Sequence, residues 1–216
     1  MVGDQSQNIH IIMFRSRLFV FLAAGFIAAT VIGTLSHECG HYGVARSLGY
    51  QHCHIGYNYS NYGTAVAREE AIESQMLLIA GGPVQTLLTG SAGLLLIAFQ
   101  RKKYKSASTL SLPQWLPVFL ALFWSRQVFN FVLAICHLAT GRLVIRADEF
   151  RLTMLLNWPL WSIMAGTAIA GAAVMWYVCF RIVPRDQRMT FIAAGLTGGL
   201  LGAWLWLGVA GPRLMP

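Results

Sequence analysis

Five stretches of this chain, near positions 18–45, 76–99, 115–139, 158–180 and 191–207, run for about 20 residues with scarcely a formal charge. An α-helix rises about 1.5 Å per residue, so about 20 apolar residues cross the roughly 30 Å hydrocarbon core of a bilayer. Composition agrees. Hydrophobic residues make up 56% of the chain and charged ones 11%, whereas a soluble domain carries about 25% charged residues. The sequence predicts an all-α, polytopic membrane helix bundle of about five spans, a single integral membrane domain over 1–216 with the lipid bilayer as its solvent. No long repeat, low-complexity tract or soluble appendage interrupts it.

The net charge of +8 would raise nucleic acid as a partner in a soluble protein. Here Arg101, Lys102, Lys103 and Lys105 follow one apolar run directly, and Arg181, Arg185 and Arg188 lie between two others. Basic residues at span ends read as topology determinants and headgroup contacts, so no nucleic-acid partner is expected. With the amino terminus inside, those seven join Arg15 and Arg17 on the inner side, nine in all, against Arg46, Arg68, Arg142, Arg146, Arg151 and Arg213 outside. The four cysteines (Cys39, Cys53, Cys136 and Cys179) form no CxxC pair, so no disulfide framework is expected.

Residues 1–10 are polar and read as a disordered or interfacial segment. The run at 18–35 follows Arg15 and Arg17 in the manner of a signal peptide, but it continues without a break into His37-Glu38-Cys39-Gly40-His41. Cleavage there would discard the strongest motif in the chain, so the run reads as a retained first span. Residues 51–64, QHCHIGYNYSNYGT, suit a Tyr/His-rich interfacial loop or short hairpin. Residues 68–75 lead towards the second span as an interfacial turn, with Glu69, Glu70 and Glu73 on a solvated face. Gly81-Gly82-Pro83 predicts close helix contact and a kink, and the glycines of the last two spans suit tight packing within the bundle or between copies.

His37 and His41 stand four apart on a helix, so both imidazoles can address one zinc ion, with Glu38 beside a metal-bound water. Two imidazoles and a carboxylate are costly to bury in a span without metal or partners. Catalytic zinc usually takes three protein ligands. The candidates for the third are Asp148, Glu149, His137, His52 and His54. Topology favours Asp148, because it follows the outer end of span three, where His37–His41 and Gly81–Pro83 also collect. Its other available role is an interfacial cap or a partner of Arg142, Arg146 or Arg151. Asn130 and Gln85 are the amide candidates for holding substrate or an oxyanion. His52-Cys53-His54 reads as a polar loop, since no acidic ligand neighbours it. Arg126, inside the third span, should face a polar cavity, snorkel or pair with an acid.

The stretch HECGHYGVARSLG resembles the first-helix motif of the site-2 protease family of intramembrane zinc metalloproteases, and AGGPVQTLLTG resembles the Gly-Pro stretch of many members, with Gln85 where asparagine is frequent. That resemblance implies Zn²⁺ as cofactor, a membrane-associated protein or peptide as substrate, an aspartate as third ligand, and a place in a membrane, expected to be the bacterial cytoplasmic membrane. The family's aspartate commonly sits in an Asn-Pro-Asp-Gly or Leu-Asp-Gly motif. This chain has no Asp-Gly pair: Asp148 precedes Glu149, and Asn130 in RQVFNFV matches the asparagine before the family aspartate across a longer insertion. The implied activity is hydrolysis of peptide bonds with Glu38 activating the water. The alternative is a non-proteolytic zinc-binding membrane scaffold or chaperone. A solute transporter is disfavoured by the HExxH motif.

Overall fold

The computed structural model describes residues 15–63, 72–142 and 147–215 of the chain. It is helical apart from one two-stranded hairpin, and five of its helical segments are long and apolar enough to cross a membrane. The protein is therefore an integral membrane protein. Residues 1–10, Arg68, Glu69, Glu70 and Arg146 lie outside the described residues.

Helix α1 (Ser16–Ser47) carries the HExxH motif in its last third. Its end is set by Gly49 at φ +86, a left-handed conformation that glycine adopts without a Cβ penalty. The Tyr50 amide donates to the Ala45 carbonyl at 3.0 Å and the Gly49 amide to the Arg46 carbonyl at 3.1 Å, the bond pattern of a Schellman motif. Tyr50 and Ala45 pack together in one buried cluster with Leu78. That turn directs the chain into strands β1 (His54–Ile55) and β2 (Ser60–Asn61), antiparallel with His54 opposite Asn61 and Ile55 opposite Ser60. The expected Tyr/His-rich segment is thus a hairpin.

Helix α2 (Ile72–Phe99) holds Pro83 in its interior. The proline removes one backbone donor from the ladder. Short, basic α3 (Arg101–Ser106) follows. Helix α4 (Leu112–Ala121) begins at Ser111, whose amide donates to Gln114 Oε1 at 2.9 Å, half of a capping box. A tight 3₁₀ turn at Leu122–Trp124 joins α4 to α5 (Ser125–Ala139), making one span over Leu112–Ala139. Helix α6 (Asp148–Leu155) is a short helix between spans. It opens with Asp148 and Glu149, residues favoured in a first turn by the helix dipole. It closes at Asn157, φ +54, with the Trp158 amide donating to the Thr153 carbonyl at 2.9 Å. The fourth span therefore starts at Ser162, four residues later than the pattern suggests: α7 (Ser162–Tyr177) runs through a wider π-type turn to Ile182. The fifth is longer than its apolar run. Helix α8 (Arg185–Ala203) continues through another π-type turn (Trp204–Ala210) into α9 (Gly211–Leu214).

Helix α1 lies between α8 and α2; α2 also packs on α4 and α6, and α5 packs on α7. Backbones come close where glycines face one another. A Cβ at Gly40 would overlap the Gly81 carbonyl, and one at Gly198 would overlap the Ala23 carbonyl. The largest apolar core joins Leu22, Ile97, Trp115, Val118, Val178 and Phe191. These residues sit at the end of the bundle opposite the hairpin. Large apolar side chains also point outward along every span, Phe99 being 84% exposed, which a bilayer explains and water would not.

Candidate metal centre

In the last third of α1, His37 and His41 are buried and point at α2. Their far nitrogens are held by that helix. His37 Nδ1 lies 3.0 Å from Thr86 Oγ1, and that hydroxyl donates to the Gly82 carbonyl at 3.1 Å. The hydroxyl proton is thereby committed, so Nδ1–H is the donor to Thr86. His41 Nδ1 stands 2.7 Å from the Leu78 carbonyl, which can only accept. The Gly82 nitrogen is 3.3 Å from the same Nδ1, but the shorter contact places the proton on the imidazole. Both rings thus present Nε2 lone pairs to the same point.

Asp148, at the start of α6, completes the point. Its Oδ2 is 3.1 Å from His37 Nε2 and 3.2 Å from His41 Nε2, and the two nitrogens are 3.2 Å apart. Three lone-pair atoms in such a triangle repel unless a cation or proton lies among them. Zinc ligands at about 2.0–2.1 Å in a tetrahedron stand roughly 3.3 Å from one another, which matches the three edges. A glycine faces this triangle: a Cβ on Gly82 would fall against both Nε2 atoms. The donor set and the cleared space fit a zinc ion. Asp148 Oδ1 lies 4.0 Å from Arg151 Nη1, so the carboxylate meets both the imidazoles and one of the arginines considered as partners from the sequence. Among the described residues, His37, His41 and Asp148 are the group able to hold a metal.

Glu38 is buried beside the imidazoles. Its Oε2 accepts from Ser60 Oγ at 2.8 Å, a bond that comes from strand β2. The motif and hairpin line a cavity of about 340 Å³. Its opposite wall is one face of α5, with Arg126, Asn130, Ala134 and His137, spaced so that they share a side of the helix. Asn130 therefore reaches the cavity. Gln85 does not line it: the residue packs against Gly40, its Nε2 donates to Thr89 Oγ1 at 3.0 Å, and its Oε1 is buried with no hydrogen-bond partner. His137 lines the wall without joining the triangle, while His52 and His54 are exposed on the hairpin side. Glu149, also weighed as a ligand, points into the cavity, buried, with Oε1 lacking a partner. Burial pushes its carboxyl above the ordinary range, while Arg126 and Asn130 work in the other direction.

Arg126 sits near the middle of the third span, where a charged side chain costs about 2.5–3.5 kcal/mol on insertion scales. Facing the cavity removes it from lipid. Thr86, Ser60 and the Leu78 carbonyl did not stand out in the sequence, whereas Gly82 did, as a site of close helix contact. Of those three, only Thr86 had a legible signal, four residues beyond Gly82 on one helix face; Ser60 reaches Glu38 from 22 residues away.

No curated protein and no solved structure matches the chain. A family model described as Peptidase M50B-like matches residues 11–165, which takes in the HExxH helix, the hairpin, the Gly-Gly-Pro helix, the cavity wall and Asp148. With a site-2 protease's first-helix motif in a five-span bundle, the chain belongs to the Peptidase M50B-like family, a site-2 protease family.

Proposed function

We propose that this protein is a zinc-dependent intramembrane endopeptidase that hydrolyses peptide bonds of membrane-associated protein substrates. The observation that carries the reading is the triangle of His37 Nε2, His41 Nε2 and Asp148 Oδ2, with edges of 3.1–3.2 Å, sharing its cavity with Glu38. These three atoms would hold Zn²⁺. When bound, the ion supplies a Lewis acid that polarises a carbonyl and acidifies a water.

The chain's own groups divide the remaining work. Glu38 accepts a proton on its carboxylate and returns it to the leaving amine. Ser60 Oγ–H, 2.8 Å from Oε2, fixes the orientation of that carboxylate while leaving it lone pairs to accept with. The Asn130 amide, on the facing wall, is the donor for developing oxyanion charge. Strand β2 offers backbone groups to an extended substrate segment, which suits a membrane helix that has locally unwound.

Purified protein reconstituted with zinc is expected to cleave membrane-spanning model substrates. Glu38→Gln should lose at least about a hundredfold in cleavage rate while keeping one zinc per chain by metal analysis. Zinc retained with no cleavage by the unmodified protein across a broad substrate panel would instead support the scaffold.

A further inference from the structure

Arg126 makes no direct ion pair among the described residues and feels Glu149, Glu38 and Asp148 only at longer range. Among the described residues no carboxylate oxygen lies within 4.0 Å of its guanidinium, since the ion pairs there all involve Asp148 with His37, His41 or Arg151. Its Nε is buried without a hydrogen-bond partner, and so is Oε1 of Glu149 in the same cavity. A guanidinium presents forked donors that match a carboxylate in two parallel bonds. Holding that fork in mid-membrane without a partner is unfavourable unless a ligand provides one.

The charge lining the cavity leads to the same conclusion. Two arginines, Arg126 and Arg151, face three carboxylates, Glu38, Asp148 and Glu149. Counted as formal charges, a dication on the imidazole–aspartate triangle would turn a deficit of one into a surplus of one. A low-dielectric site with one surplus positive charge and an open arginine fork suits a single anion. The cavity, about 340 Å³, has room for a peptide end or a few side chains.

We infer that Arg126 is a specificity residue that binds one carboxylate of the substrate, either the free carboxyl end of a peptide chain or an Asp or Glu side chain near the bond to be cut. The inference rests on the peptidase reading for the word substrate and deepens it: the preferred substrate carries a carboxylate into the membrane-embedded site.

The test uses full-length, zinc-loaded Glu38→Gln protein and measures binding, so that it does not depend on turnover. One fluorescent apolar peptide is titrated in three forms: free acid, carboxyl-terminal amide, and the amide with a central Gln replaced by Glu. At least one carboxylate form is expected to bind about tenfold or more tightly than the neutral amide. Arg126→Gln should erase that preference and leave the amide's affinity within about twofold. Preference for the free acid assigns the chain end, and preference for the Glu form assigns a side chain. If Arg126→Gln does not fold, Arg126→Lys, which keeps the charge but loses the fork, must shrink the preference. Equal binding of all three forms, binding of none, or a preference that survives both substitutions overturns the inference. Arg126-dependent binding together with no cleavage by the unmodified protein would refute the peptidase reading alone.

Discussion

The tautomers of His37 and His41 are set by two oxygen atoms on α2, the Thr86 hydroxyl at 3.0 Å and the Leu78 carbonyl at 2.7 Å. A metal-binding imidazole depends on such a partner for its ring orientation and for the basicity of its ligating nitrogen. Leu78 contributes a backbone atom that substitution does not remove, whereas Thr86 contributes a side chain. Thr86→Val should therefore keep the helix packing and lower zinc affinity by about 10–100-fold, measured by competition with a chelator of known strength. An affinity within a factor of two of the parent would show that the hydroxyl does not orient His37. Glu38 tells the complementary story. Its position in the motif was readable, but the Ser60 bond that fixes its carboxylate was not, because it crosses from a hairpin whose pairing the sequence left open.

The hairpin, eight residues over His54–Asn61, is held from three sides, counting Tyr62 that follows it. Ser60 bonds α1 through Glu38, Tyr62 packs edge-on against Tyr50 with ring centroids 6.1 Å apart, and Trp206 Nε1 donates to the Tyr57 carbonyl at 3.0 Å. The last bond ties the hairpin to the fifth span, across 149 residues of sequence. It sits within the π-type turn at Trp204–Ala210, the kind of local widening that re-aims a side chain. Trp206→Phe keeps an aromatic ring and deletes the donor. Amide exchange over residues 54–61 should then quicken roughly two- to tenfold, the range expected for one hydrogen bond, read by hydrogen–deuterium exchange mass spectrometry. Unchanged exchange would mean that the indole bond does not hold the hairpin. The fifth span also shows where pattern reading stops short. Arg185, Asp186, Gln187 and Arg188 made its first turn look like a loop, yet Gln187 is buried there and its Oε1 accepts from the Leu110 amide at 2.8 Å.

Across the described residues the largest apolar core and the polar cavity occupy opposite ends of one bundle. Trp115, Val118, Val178 and Phe191 lock the helices together at one end, which leaves the other end open enough for a cavity with charged walls. Alternation of five spans puts the 101–111 segment and the turn before Arg185 on the side of the amino terminus, and the hairpin on the other. Among the described residues the basic side chains follow this division, nine with the amino terminus against four with the hairpin (Arg46, Arg142, Arg151 and Arg213), so the amino-terminal side should be cytoplasmic. A protease site inserted after Lys105 is expected to be cut only from the cytoplasmic side of oriented vesicles, and one inserted after Gln51 only from the opposite side. The reverse pattern would place the metal centre near the cytoplasm.

The linear sequence determined the medium and the shared face of the histidine pair. Apolar runs of bilayer length require helices, because lipid offers no partner to an unpaired amide, and two histidines four apart on a helix share a face whatever surrounds them. Tertiary structure alone decided what meets that face. Span topology pointed to Asp148, but it lies 107 residues from His41, and only the placing of its short helix brings its carboxylate within 3.2 Å of that imidazole. Gln85 and Asn130 looked equivalent as amides, but a cavity wall is chosen by helix rotation and crossing, which follow from glycine contacts between helices distant in sequence. Periodicity along a single helix carries no record of the neighbour against which it packs.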